Sequence, residues 1–343
     1  MAQYVAAGYR VPVPADEITI TELCAAYWTF AKGYYHSEGE RFMIHRVCEA
    51  LKNHYGGEPA ADFGPLKCEA LLHWFVSQDL SRTGVNHCLG RIKRLLRWGV
   101  TKELVQPDTY AKVAALPGLR KGRSAAREGR TVLPPPVADV DALLADEGTT
   151  RVLRALVTVQ RHSGARAGEL MNLTPGHIDT AGPVWEARLT EHKTAYRGRE
   201  RILFFGPECQ AVLKPLMLRK ADAPLFSPAE SEAERRALIH SKRKTPLSCG
   251  NRPGTNRVAN PETAPADRYT VDSYRRALSH ACRRAKVKAF SPHQLRHLAA
   301  TEIRAKYGLE AAQVMLGHAG MAITQLYAEQ DFNLARRVAQ AMG

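Results

Sequence analysis

The stretch SPHQLRHLAATEI, residues 291–303, places two histidines and an arginine within five residues at the start of a helical pattern. Ser291 suits the N-cap of that helix, and Gln294 follows it at the spacing of a capping box. His293 and Arg296 then lie in the first turn, beside unpaired N–H groups and the positive end of the helix dipole. Cations are disfavoured there unless an anion is close, and helix N-termini bind phosphates readily. The stretch therefore predicts a helix start that binds a phosphate.

Two simpler interpretations of the same stretch compete with a phosphate site. His293 and His297 are four residues apart on one helix and could share a metal ion, but the stretch has no HExxH pattern. Two ordinary helix histidines would need no ligand at all. The rest of the chain has to decide between these interpretations, and we expect no metal site.

The overall composition favours an anionic polymer as the partner. The chain has 343 residues, which is enough for two domains, and 45% of them are hydrophobic, which is enough for real cores. Lys and Arg number 49 against 34 Asp and Glu, for a net charge of +15. Such an excess suits a polyanion, most often nucleic acid, although a solvated basic surface would give the same balance.

Cysteine usage and hydropathy bear on the compartment. Seven cysteines are scattered without a CxxC pair, which argues against a zinc ribbon or a disulfide framework and fits a reducing compartment. The N-terminus shows no charged region followed by an apolar core, and no apolar run approaches the roughly 20 residues of a membrane span. We therefore expect no membrane association and a cytoplasmic, nucleoid-associated location.

The N-terminal part of the chain predicts a helical domain followed by a linker. Residues 1–16 are expected to form a flexible tail, and residues 17–118 carry apolar positions at helical spacing throughout. Residues 119–136 are basic and end in three prolines, which is typical of a linker. The cations that lie off the apolar stripe or in the linker either contact a DNA backbone or form a solvated face: Arg91, Lys93, Arg94, Arg97, Arg120, Lys121 and Arg123.

Residues 137–343 predict a second domain that mixes helices with a small sheet. The segments VWEARLTE and RERILFF alternate like strands and predict a β-hairpin, with the basic segment HKTAYRG as its loop. Residues 227–268 are polar and predict an irregular surface insertion. Its cations either add DNA contacts or belong to an inert loop: Lys242, Arg243, Lys244, Arg252 and Arg257. The expected fold class is mainly α with a small β-sheet.

Three ordered motifs in this second domain carry a family resemblance. ARAGEL contains Arg166, HQLRH contains His293 and Arg296, and LGHAGMAITQLY runs from Leu316 to a tyrosine nine residues after its histidine. In that order they resemble the tyrosine recombinases, the phage-integrase family. The resemblance covers roughly residues 17–335 and implies a helical core-binding domain, of the SAM-like type, before a mixed α+β catalytic domain.

The resemblance also implies the residue roles and the assembly. Its motif positions give the catalytic set, with the tyrosine as nucleophile: Arg166, Lys193, His293, Arg296, His318 and Tyr327. Family members clamp duplex DNA between their two domains, with the linker crossing the backbone, and four protomers assemble on two DNA sites. We therefore expect double-stranded DNA as the partner, a tetramer on DNA, and a monomer or weak oligomer when free. The C-terminal segment ARRVAQAM either docks onto a neighbour or packs on its own domain.

The chemistry of this set is consistent without the resemblance. Two arginine forks, Arg166 and Arg296, can neutralise the non-bridging oxygens of a phosphodiester and favour its charge-rich transition state. The histidines can hydrogen-bond that phosphate and move protons. Ionising Tyr327 at neutral pH costs roughly 4 kcal/mol, which neighbouring cations offset. Lys193, on the hairpin loop, is the best candidate acid for the leaving hydroxyl, so neither a metal nor a nucleotide cofactor is required.

Two further interpretations complete the residue roles predicted from the sequence. Glu169 is expected to orient a neighbour or cap its helix rather than react, and His297 to pack behind the site.

The predicted function is a site-specific DNA recombinase or integrase that works through a 3′-phosphotyrosine. The alternatives are a DNA-relaxing enzyme that resembles type IB topoisomerases and a non-catalytic DNA-binding protein of a mobile element. The motif order argues against the first alternative, and the intact set of site residues argues against the second.

Overall fold

The computed structural model describes residues 18–189, 201–246, 248 and 265–317. The expected tail 1–16, the hairpin loop, the cations Arg252 and Arg257, and everything from residue 318 onward lie outside the described residues. The chain divides into two compact units between Thr131 and Val132. Across the described ranges, no helix is long and apolar enough to cross a membrane.

The first unit is all-helical, as the apolar spacing predicts, and we call it the helical unit. Three of its helices begin at side-chain caps: the hydroxyls of Thr19, Ser37 and Ser81 each accept the N–H of the third residue of the helix that follows. A core of buried Leu, Ile, Val and aromatic side chains joins them. The helices are α1 (Ile20–Tyr34), α2 (Glu38–Tyr55), α3 (Pro65–Ser77), α4 (Arg82–Thr101) and α5 (Pro107–Ala114), with a 3₁₀ turn at Ala60–Asp62.

The second unit combines helices with a three-stranded sheet, and we call it the mixed unit. The predicted fold class, mainly α with a small sheet, is confirmed. Its elements in chain order are α6 (Val137–Ala145), α7 (Arg151–Ser163), α8 (Ala167–Met171), β1 (Ile178–Asp179), β2 (Trp185–Leu189), β3 (Arg201–Phe205), α9 (Pro207–Leu213), α10 (Pro228–Ser241), α11 (Val271–Arg284) and α12 (Pro292–Leu316).

The sheet is antiparallel in the order β1–β2–β3, which confirms the predicted pairing of the two longer strands. Ala187 of β2 lies opposite both Ile178 of β1 and Leu203 of β3, and all three side chains are buried. Strand β1 has only two residues, which is too short for a period of two to be visible in the sequence.

The helix α10 corrects the prediction of an irregular insertion over residues 227–268. The Ser227 hydroxyl caps it by accepting the Glu230 N–H at 3.4 Å. Glu232 pairs with Arg235 and Arg236 along its surface. Such i,i+3 and i,i+4 ion pairs support a helix whose sequence has almost no apolar stripe, and that is why its polar composition concealed it.

Helix α7 is the central helix of the mixed unit and packs against α9, α10 and α12. Every side chain from Val152 to Gln160 is buried or half-buried, so the helix is covered on all sides along this stretch. Its N-terminus is closed by the Glu234 carboxylate of α10, which accepts the Arg151 N–H at 2.8 and 2.9 Å. At the other end, Gly164 ends the helix with φ of 63°, in the left-handed region.

Candidate active site

The turn between α7 and α8 is fixed by buried hydrogen bonds before it reaches the first candidate arginine. The Ser163 hydroxyl accepts the Ala165 N–H at 3.2 Å, and the Gln160 side chain donates to the Ala165 carbonyl, also at 3.2 Å. Tyr274 of α11 donates in turn to the Gln160 side-chain oxygen at 2.9 Å. Because these groups are buried and paired with one another, the backbone that carries Arg166 has one arrangement.

Arg166 occupies the N-cap position of α8 and is held by Glu169. The Glu169 carboxylate accepts the Arg166 backbone N–H at 2.9 Å and its Nη1 at 2.7 Å. The carboxylate is only 5% exposed, whereas the Arg166 side chain is 35% exposed. The guanidinium is therefore anchored from the interior and still reaches the surface. This geometry agrees with the prediction that Glu169 orients a neighbour.

A second arginine, which sequence reasoning missed, binds the other side of the same carboxylate. Arg201 opens β3 and lies 3.3 and 3.4 Å from Glu169 Oε2 through Nη2 and Nε. It is 5% exposed, like its partner. The signal in the sequence was a charged residue at an inward position, because Arg201, Leu203 and Phe205 share the buried face of the strand.

Glu169 is kept ionised by its two arginines. Burial alone would raise the pKa of the Glu169 carboxyl, but the charges of Arg201 and Arg166 and the Arg166 hydrogen bonds outweigh burial and hold that pKa below its usual range. The carboxylate is therefore negative at neutral pH. One buried negative charge thus serves two arginines, one interior and one at the surface.

Arg296 is the most deeply buried of the candidate cations, at 1% exposure. Its Nη1 donates to the Gly164 carbonyl at 2.6 Å and its Nη2 to the Leu316 carbonyl at 2.9 Å. The described contacts of this guanidinium therefore join the end of α7 to the end of α12. Residue patterns could not predict this structural role, because both acceptors are backbone carbonyls, 132 and 20 residues away in the chain.

The first turn of α12 is built as its sequence predicts. Pro292 takes the first helical position, and the Gln294 side chain accepts the Ser291 N–H at 2.9 Å. Its amide also donates to the Leu133 carbonyl at 2.9 Å, which ties the helix start to the residues before α6. The helix is interrupted once, at Gly308, with φ of 91°.

The two histidines of this turn differ in exposure. The rings of His293 and His297 meet edge to face at 4.9 Å, with His293 exposed and His297 buried at 8%. Desolvation, followed by the positive fields of His297, Arg296 and Arg166, lowers the pKa of His293. A lowered pKa favours the neutral imidazole, which can accept a proton.

The structure thus brings three of the six candidate catalytic residues together. Arg166 and Arg296 converge on the turn at Gly164, and His293 lies one helical turn from Arg296 and within the field of Arg166. Lys193, His318 and Tyr327 lie outside the described residues. The described chain ends at Gly317, the residue before His318, with φ of 64°.

Three of the four candidate DNA-binding cations of α4 have protein partners in the helical unit. Arg91 and Arg94 share the Glu40 carboxylate of α2. Lys93 donates to the carbonyls of Ala114 and Leu116, at 2.9 and 2.7 Å, and so closes the end of α5. Arg97 is exposed.

The basic linker begins as an exposed turn on the helical unit. Arg120, Lys121 and Arg123 are all exposed, around Gly122 with φ of 69°. Further along, Arg127 pairs with Asp79 at 2.9 Å. Glu128 pairs with Arg82 at 2.7 Å. The charge of the linker therefore lies mainly in its first three cations.

Fold and site together define the class of protein. A helical unit precedes a mixed unit. In the mixed unit, Glu169 anchors Arg166 at a helix start, close to the turn that carries the HQLRH motif. This is the arrangement of a tyrosine recombinase. The family model "Phage integrase family" matches residues 139–333. The chain belongs to the phage integrase family.

Solved structures with the same fold include integrases in complex with DNA. The Tn1549 transposon integrase in complex with a circular intermediate DNA has a TM-score of 0.62 and 13% identity, over 95% of this chain and 100% of the other. A lambda integrase dimer bound to a COC′ core site has a TM-score of 0.62 and 13% identity, over 91% and 78%. A lambda integrase tetramer bound to a Holliday junction has a TM-score of 0.61 and 13% identity, over 92% and 79%. No curated relative matches the sequence.

Proposed function

We propose that this chain is a site-specific DNA recombinase that cuts and rejoins duplex DNA through a covalent 3′-phosphotyrosine formed at Tyr327. The observation that carries the proposal is the Arg166 guanidinium, which Glu169 fixes at 2.7 Å while it stays 35% exposed, beside the first turn of α12. An anchored, exposed guanidinium at a helix start is built to bind a phosphate rather than to complete a core.

The phosphate would be bound by groups that gain most in the transition state. Arg166 would offer its exposed edge to one non-bridging oxygen, and His293, which lies within the field of Arg166, would hydrogen-bond the same phosphate. Arg296 is buried at the Gly164 turn, where its two described bonds to Gly164 and Leu316 hold the guanidinium in one orientation. Such preorganised donors stabilise the extra negative charge that builds up during attack.

The proposed strand cleavage is a transesterification. The Tyr327 oxygen attacks the scissile phosphorus, the bond from phosphorus to the 5′ oxygen breaks, and the 3′ phosphate stays on the tyrosine. The phenol proton passes to a neutral histidine, for which His293 is suited by its lowered pKa. The 5′ oxygen leaves as a hydroxyl with a proton from Lys193. Attack of a 5′ hydroxyl on the phosphotyrosine reverses these steps and rejoins the strand.

The partners follow from charge and from the structural relatives. The net charge of +15 and the exposed cations at the start of the linker suit a duplex backbone. Integrases of the same fold have been solved on DNA, one of them as a tetramer on a Holliday junction. We infer double-stranded DNA as the substrate and a tetramer on two sites as the active assembly.

The experiment that tests the proposal traps the covalent intermediate. A nicked duplex, in which the leaving strand is short enough to diffuse away, converts cleavage into a stable protein–DNA adduct. We expect Tyr327→Phe to bind the duplex and form no adduct. Tyr307→Phe, at an exposed tyrosine of α12, is the matched control and should retain adduct formation. An adduct formed by Tyr327→Phe would overturn the nucleophile assignment.

A further inference from the structure

Arg201 joins three parts of the mixed unit that are far apart in sequence. From the first position of β3, its Nη2 and Nε contact Glu169 of α8 at 3.3 and 3.4 Å. Its Nη1 donates to the Met315 carbonyl at 3.1 Å, in the last turn of α12. One planar guanidinium therefore spans the anchor of Arg166 and the end of the helix that precedes the LGH motif.

The backbone of Gly317 packs closely against the Arg201 side chain. A Cβ at this position would lie 2.6 Å from Arg201 Nη1 and 3.1 Å from its Cδ. Gly317 also has φ of 64°, which L residues rarely adopt. The glycine of the LGH motif is thus required twice, once for the turn and once because the guanidinium packs against its backbone.

These contacts assign Arg201 a role in the reaction, and this inference rests on the proposed function. We propose that Arg201 is a positioning residue, which sets the place of Arg166 through Glu169 and of the end of α12 through Met315 and Gly317. This role requires no contact between Arg201 and DNA. Its fork geometry is essential, because a single ammonium group cannot reach a carboxylate and a carbonyl on opposite sides.

A purely structural role for Arg201 predicts a different experimental result. Removing one partner of a buried ion pair is destabilising wherever the pair lies, because it leaves an uncompensated charge. Arg219 offers a matched case in the same unit. It is 16% exposed, pairs with Glu230 at 2.9 Å and donates to the Pro224 carbonyl at 2.8 Å, and none of its described hydrogen bonds reaches a candidate site residue. Its loss should affect stability without affecting chemistry.

The experiment measures single-turnover adduct formation on the nicked duplex at saturating protein. We expect Arg201→Met to bind the duplex with unchanged affinity and to cleave about 100-fold more slowly, the size of effect that a misplacement of about 1 Å produces. Arg201→Lys should recover thermal stability but remain at least about tenfold slower than wild type. Arg219→Met should cleave at the wild-type rate. Arg201→Lys cleaving at the wild-type rate would overturn the inference, even where Arg201→Met fails to fold.

A double-mutant cycle separates positioning from an independent contribution. Arg201 acts partly through Arg166, so the variant that combines Arg201→Lys with Arg166→Ala should lose less activity than the product of the two single losses. Losses that multiply fully would show that Arg201 does not act through Arg166. If the wild-type protein forms no adduct, the proposed function is refuted. If the wild type forms adducts, the Arg201 variants test the positioning role separately from the proposed function.

Discussion

The guanidinium of Arg296 donates to the carbonyl oxygen of Gly164 at 2.6 Å, across 132 residues of sequence. Its other amino group donates to the Leu316 carbonyl at 2.9 Å. The arginine of the HQLRH motif therefore pins the ends of two helices while it lies at the base of the proposed phosphate site. We therefore expect the stability of the fold and the chemistry of the site to depend together on this side chain.

We expect Arg296→Met to lower the free energy of unfolding as well as to abolish cleavage. Two carbonyls that Arg296 now satisfies would be left in a buried region, and each unsatisfied group costs about 1–3 kcal/mol. Urea unfolding of the wild type and the variant measures the difference. Unchanged stability together with lost cleavage would mean that these two hydrogen bonds contribute nothing to the fold.

Gly164→Ala should destabilise the mixed unit through backbone strain. Gly164 has φ of 63°, where an alanine costs roughly 1–2 kcal/mol, and its Cβ would lie 2.6 Å from a methyl group of Leu316. Gly206→Ala is the control, because no atom lies within 4 Å of its Cβ position, and it should stay within about 0.5 kcal/mol of wild type. Equal unfolding free energies for the two variants would contradict this account.

Local spacing made half of the site readable from the sequence. Ser291, Gln294, His293 and Arg296 belong to one helix start, so capping rules and motif spacing place them without knowledge of the fold. Arg201 could not be found in this way, because its partners Glu169 and Met315 lie 32 and 114 residues away. Arg201 comes into contact with these partners only when the sheet packs against the helices of the mixed unit.

The partners of surface charges are also not predictable from the sequence. Arg91 and Arg94 look like a free basic face in the sequence, yet in the structure they share one carboxylate from another helix. Helix α10 was missed for a related reason, because its support comes from surface ion pairs and from capping α7 rather than from an apolar stripe. Sequence patterns report burial well, but they do not show which charges find partners.

Stability at low pH should depend on Glu169. Its folded-state pKa lies below its unfolded value, because Arg201 and Arg166 outweigh the effect of burial. The stabilisation is therefore present above the unfolded pKa, near pH 4.5, and is lost as the pH falls through the folded pKa. We expect Glu169→Gln to be less stable than wild type at pH 6 and to show a shallower loss between pH 5 and 3.

Urea unfolding at several pH values measures this difference, and Glu310→Gln, at an exposed carboxylate of α12, is the control. The control should follow the wild-type curve. Parallel curves for wild type and Glu169→Gln would show that the buried carboxylate is not the group whose protonation weakens the fold.

Strand cleavage should proceed in excess EDTA. Arg166, Arg296 and Lys193 together would supply the positive charge that a metal ion brings to phosphoryl transfer in other enzymes. Adduct formation on the nicked duplex, with and without EDTA and with added Mg²⁺, tests this expectation. An absolute requirement for the metal in the cleavage step would contradict the proposed mechanism.

DNA affinity should depend on the start of the linker more than on Lys93 of α4. Arg120, Lys121 and Arg123 are exposed, whereas Lys93 is occupied by the carbonyls of Ala114 and Leu116. Lys93→Met should therefore weaken the helical unit while it leaves the salt dependence of binding unchanged. This variant is the control for neutralising the three linker cations.

Neutralising Arg120, Lys121 and Arg123 together should remove up to about three phosphate contacts and lower the slope of log affinity against log salt by about 0.9 for each contact. Binding to a cognate and to an unrelated duplex should weaken alike, because backbone contacts position a protein but carry no base information. Salt titrations of wild type, the triple variant and Lys93→Met on both duplexes measure the slopes. An unchanged slope, or a loss confined to the cognate duplex, would mean that the linker is a solvated spacer and that the duplex is held by other parts of the chain.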